Sequence, residues 1–125
     1  MIRTLFAAVA FAFAAPASAA APSLEEIAPE FDGFVHCSLD HAMTLVGDGD
    51  VPDAIAEASM THCAPEFDVL TAALTTMLEH ADGFRDDPAA VKSEAARVAA
   101  ELRAHAKSAI AGAVDAKRAP GRSGT

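Results

Sequence analysis

Tryptophan and tyrosine are absent from this 125-residue chain, and its seven phenylalanines are its only aromatics. Three of them, Phe6, Phe11 and Phe13, fall in the first nineteen residues, which leaves Phe31, Phe34, Phe67 and Phe84 for a fold. Stacking platforms for sugars or bases are built from exposed aromatic rings, so this scarcity argues against both ligand classes. Positive charge is missing too: no lysine or arginine stands between Arg3 and Arg85. Eighteen acids against nine basic residues give a net charge of −9, the wrong sign for a phosphate backbone or an anionic lipid surface. Nucleic acid and stable membrane insertion are therefore excluded as expected partners. No stretch alternates with period two for long enough to make a strand, and no glycine-rich phosphate loop is present. With neither C-x-x-C-H nor H-E-x-x-H in the chain, ordinary haem attachment and the zinc-hydrolase pattern are also missing.

What is present begins with an export signal. Met1 to Thr4 form a short positive n-region, Leu5 to Ala15 an apolar h-region too short to span a bilayer as a helix, and Pro16 breaks it. Ala17-Ser18-Ala19 offers the small residues of a cleavage site, and cuts after Ala20 or Ala21 would also fit. Residues 1–19 are read as a signal peptide, 20–118 as one helical domain and 119–125 as a disordered Pro/Gly/Ser tail. Delivery to the periplasm or secretion follows.

The exported part has 24 alanines and only 24 Ile, Leu, Val, Phe and Met residues in total. Alanine is the best helix former and buries little area, so helices held by close approach are expected. Cys37 and Cys63 are the only cysteines, and in an oxidising compartment they are expected to form one disulfide. Closing that loop would stabilise the fold by about 3.5 kcal/mol on the chain-entropy model.

Ser23 with Glu26 reads as a capping box, and Pro29 as a reset in a first turn. Phe31, Phe34, Val35, Leu39, Ala42, Leu45 and Val46 mark an amphipathic helix that ends at Gly47-Asp48-Gly49-Asp50. A second helix starts at Asp50 or Val51, with Val51, Ile55, Ala58 and His62 on one face. Pro65 opens a third, striped by Phe67, Leu70, Leu74, Met77, Leu78 and Ala81. The last runs from about 88 to 117 with Asp87 as N-cap and an alanine-rich seam of Val91, Ala95, Val98, Leu102, His105 and Ala109. The expected fold is all-α: a small four-helix up-and-down bundle whose disulfide joins the first helix to the second.

Charge is divided along the chain. Residues 20–84 hold thirteen acids and no lysine or arginine, whereas residues 85–125 hold eight basic residues and five acids. Either the last helix docks on the acidic body and neutralises it, or the body awaits a cation. His36 and His62 directly precede the cysteines, and His36, Asp40 and Met43 stand at i, i+4 and i+7 on one helix face. Imidazole with thioether suits copper, and imidazole with carboxylate suits zinc or nickel, so His36, Asp40, Met43 and His62 are the candidate metal ligands. Asp48, Asp50 and Asp53 fit turn and capping chemistry, since an EF-hand would need glycine where Asp53 stands. Ser38 and His41 are three apart, but no acid or oxyanion element can be named for them, and no catalytic residue or cofactor is assigned.

The leading expectation is a non-enzymatic exported module whose acidic surface meets a cationic protein or peptide, with homodimerisation through the last helix as a further expectation. A metal-binding protein of the same compartment is the alternative, and an acid-stress chaperone a third reading.

Overall fold

A computed structural model describes residues 24–119 and is helical throughout its regular elements. The expected signal peptide, the lead-in to Ser23 and the expected tail from Pro120 lie outside the described residues. A 3-10 turn, Leu24–Ile27, leads into α1, Ala28–Thr44. A second short turn, Val46–Asp48, precedes α2, Pro52–His62; α3, Ala64–Glu79, follows after Cys63 alone; and α4, Pro88–Arg118, closes the chain. The expected all-helical, four-helix architecture is what the chain adopts.

Each helix starts with proline in its first turn, where a missing N–H breaks no intrahelical bond. Two glycines make the reversals. Gly49 (φ 83°) and Gly83 (φ 90°) take the left-handed conformation that a side chain disfavours, one before α2 and the other after α3. Asp87 caps α4 as its position suggests, its carboxylate accepting from the Ala90 N–H at 3.1 Å.

Packing follows from the lengths. α4 has 31 residues, roughly 46 Å at 1.5 Å per residue. The run from Pro52 to Glu79 is nearly as long and is broken at Cys63; α2 and α3 each pack on α4 and touch each other little. α1 packs on α2, α3 and α4.

The stripes on α1 and α3 are where the spacing puts them, with Phe34, Ala42, Leu70, Leu74 and Leu78 buried. Two details correct the sequence reading. On α2 the inward face is Ile55, Ala56, Ser59 and Met60; Val51 is 65% exposed, and Ala58 and His62 also face solvent. On α4 the seam is right as far as Leu102, with Val98 and Leu102 half-buried against the core, and then drifts. Ala99, Ala106, Ile110 and Val114 are buried, while His105 and Ala109 are exposed. A straight helix turns about 20° per heptad away from a 3.5-residue repeat, so a coiled-coil spacing carried from Val91 to Ala109 runs off the buried face at its end.

Small residues set the α1 and α2 packing faces. Ser38 and Ser59 are fully buried, beside Ala42 and Ala56, which lets helix backbones approach closely. Neither serine hydroxyl has a hydrogen-bond partner. Among the described residues no helix is long and apolar enough to cross a membrane.

Candidate functional site

Cys37 of α1 and Cys63 at the α2–α3 joint form the expected disulfide, with Cα atoms 6.0 Å apart. Cys63 ends α2 and begins α3: its N–H bonds to Ser59 O at 3.1 Å, and its carbonyl accepts from the Phe67 N–H at 3.1 Å. Cys63 is fully buried and Cys37 half-buried, which accounts for the position of Cys37 beside, not within, the α1 apolar stripe. Ring contacts connect α1 to both flanking helices. Phe34 meets Phe67 of α3 with centroids 5.1 Å apart at 52°, and His41 stacks on His62 of α2 at 3.9 Å and 8°.

The candidate metal ligands are placed as follows. His36 and Asp40 are exposed on α1, and Met43 is half-buried against the core. His62 is exposed and its ring lies on His41, which the ligand spacing did not include. Three donor atoms do fall within 4.8 Å of one another among the described residues: those of Cys37, Cys63 and Glu66. Both sulfurs are committed to the disulfide. The Glu66 carboxylate approaches Cys37 Sγ to 3.6 Å, and a disulfide sulfur has no hydrogen to donate, so this is a packing contact.

Beside that contact lies a groove of about 360 Å³, open to solvent, between the first turns of α1 and α3. Its walls are Pro29, Glu30 and Gly33 from α1, and Pro65, Glu66 and Val69 from α3. These are equivalent positions in a repeat: Ala28-Pro29-Glu30-Phe31-Asp32 recurs as Ala64-Pro65-Glu66-Phe67-Asp68, thirty-six residues on. Part of the motif is ordinary helix-start chemistry, since proline fits the first turn and a glutamate there faces the positive helix end. That explains Pro and Glu on each helix. It does not explain why the third, second and sixth positions of both copies meet at one place.

Metal-ligand and charge arguments pass over Glu30, Gly33, Glu66 and Val69, none of which is unusual by itself. The repeated pentapeptide is the signal that marks them in the sequence.

Of the residues lining the groove, Glu30 has one carboxylate oxygen, Oε1, buried without a hydrogen-bond partner. Val69 is 58% exposed, one of the two large apolar side chains in the described residues left in solvent. A Cβ at Gly33 would meet no neighbouring atom within 4 Å, so the groove is open over that glycine.

Cations lie elsewhere. Arg97 pairs with Glu94 and Glu101 on its own helix, at 2.6 and 3.0 Å. Arg103 and Lys107 both reach Glu57 of α2, at 2.7 and 3.4 Å. The hydrogen bond from Arg103, then its charge and that of Lys107, hold the Glu57 carboxyl below its ordinary range. Arg118 donates to the backbone carbonyls of Val46 and Asp50, tying the end of α4 to the α1–α2 connection. The ion pairs seen from α4 to the acidic body thus converge on one carboxylate.

Comparison of the chain with protein-family models, with curated proteins and with solved structures finds no match in any of the three.

Proposed function

We propose that this chain is an exported, non-enzymatic binding module whose acidic body takes a cationic protein or peptide. The observation that carries the reading is the charge left over after folding. The body has thirteen acids and no lysine or arginine between residues 24 and 84, yet the cations of α4 engage it at Glu57 and at two backbone carbonyls. Self-neutralisation therefore accounts for little of the segregation, and an uncompensated negative field attracts cations over roughly a Debye length, about 8–10 Å at physiological salt. Export to the periplasm or beyond is supported by the apolar leader sequence and by a disulfide that reducing cytosol would not maintain.

Calorimetric titration with a six-arginine peptide and a six-glutamate peptide, at low and at 0.5 M salt, tests the reading. The arginine peptide is expected to bind with an affinity that falls as salt rises, and the glutamate peptide to give no heat. Absence of binding by the arginine peptide at low salt would end the proposal.

A further inference from the structure

We infer that the groove between the two Ala-Pro-Glu-Phe-Asp segments is the docking site, and that it holds an arginine side chain presented by an extended segment of the partner. This rests on the reading of the chain as a module for cationic partners, and gives that reading a location and a chemistry.

The lining side chains supply acceptors and no donor. Pro29 and Pro65 have no backbone N–H, and those of Gly33 and Val69 lie inside helices, where the ladder uses them. The polar side chains are two glutamates, and one oxygen of Glu30 is already withdrawn from water without a partner. A carboxylate oxygen in that position is costly until a donor reaches it. The first turns of α1 and α3 contribute partial positive charge, about half a unit each, which two full negative charges outweigh.

The missing group must therefore bring several donors, a positive charge and an apolar stem. A guanidinium answers all three. Its planar fork can donate to two carboxylates at once, it is more weakly hydrated than an ammonium, and its methylenes can lie on Pro29, Pro65 and Val69.

Gly33 strengthens the case. Glycine in the interior of a helix is less stable than alanine by about 1 kcal/mol, and no neighbouring atom excludes a Cβ there. Val69 stands at the equivalent place in the second copy. A side chain at position 33 would project into the groove, so the glycine keeps room for an occupant.

The test is an NMR titration of the intact disulfide-bonded chain with the blocked peptide Gly-Ser-Arg-Ser-Gly and its citrulline and lysine counterparts. Amide shifts are expected to centre on residues 29–33 and 65–69. The citrulline peptide should bind at least tenfold more weakly, and the lysine peptide several-fold more weakly. Glu30→Gln and Glu66→Gln should each weaken the arginine peptide about tenfold, whereas Asp53→Asn on α2 should leave it unchanged. Gly33→Leu separates binding from folding, because it should hold or raise Tm while weakening binding tenfold or more.

Unchanged affinity in Glu30→Gln and Gly33→Leu, with shifts spread over the acidic surface, would overturn the groove and leave the cationic-partner reading standing. Equal binding of the lysine and arginine peptides would overturn the guanidinium assignment. If neither this peptide nor the six-arginine peptide binds, both inferences fall.

Discussion

The body formed by α1, α2 and α3 and the single helix α4 are held in the same bundle by different means. Most of the large, fully buried side chains belong to the body: Phe34, Ile55, Met60, Leu70 and Leu74, against Ile110 and Val114 in α4. The body also has the disulfide and the Phe34–Phe67 contact, both linking α1 to residues at or just after the α2–α3 joint. α4 instead presents Ala95, Ala99 and Ala106 to its neighbours and depends on intrinsic helix propensity, a side-chain cap and ion pairs along its own surface. Arg97, Arg103, Lys107 and Arg118 are spent on α4 itself, on Glu57 and on backbone carbonyls, while most of the body's acids face outward. The chain thus separates a crosslinked acidic platform from a splint that stabilises it without neutralising it.

The largest expected effect breaks the body. Replacing both cysteines, Cys37→Ala with Cys63→Ala, should lower stability by about 3 kcal/mol, measured by urea denaturation of the chain with and without the bridge. A loss below about 1 kcal/mol would mean that core packing and the Phe34–Phe67 contact hold the joint, and the contrast with α4 would shrink. Next is the splint. Ala106→Leu inserts bulk where α4 lies fully buried and should destabilise by about 2 kcal/mol, whereas Ala104→Leu on the exposed face should stay within about 0.5 kcal/mol. Equal tolerance at both positions would show that close approach does not hold α4 in place.

How far the sequence reveals this depends on what each residue's placement requires. Helix boundaries were legible because prolines, Asp87 and the glycine turns act locally, through backbone conformation and capping. The stripe of Leu70, Leu74 and Leu78 was legible for the same reason, since large apolar residues at helical spacing have one place to go. The face of α2 was not. In an alanine-rich eleven-residue helix little separates Ala56 from Ala58, and only the neighbouring helices decide which is covered. The neighbour of His62 is likewise not legible, because the stacking on His41 of α1 depends on how the two helices pack. The groove lay further out of reach, because it depends on two chain segments meeting. Composition contains no trace of that meeting, yet the pentapeptide shared by residues 28–32 and 64–68 does.

Smaller changes sharpen the contrast at the edge of α4. Asp87→Ala removes the acceptor for the Ala90 N–H and should cost about 1 kcal/mol, with fraying confined to the first turn of α4 in hydrogen exchange. Protection lost along the whole helix would mean that α4 docks more weakly than its buried alanines imply.

The least costly change is at the one carboxylate the two regions share. Glu57→Gln removes both partners' contact, and because the pair is about half exposed the loss should be only about 0.5 kcal/mol. Its pH dependence has a definite sign. Contact with Arg103 and Lys107 lowers the folded-state pKa of Glu57 below that of a free glutamate, so the folded form holds on to the ionised carboxylate. The contribution is therefore complete above that value and fades as pH falls through the lowered one. Wild type and Glu57→Gln should differ at pH 6 and converge in strong acid, and 0.5 M salt at pH 6 should bring them together as well. A difference that survives both treatments would assign the effect to packing of the glutamate stem, and the electrostatic link between body and splint would have to be sought elsewhere.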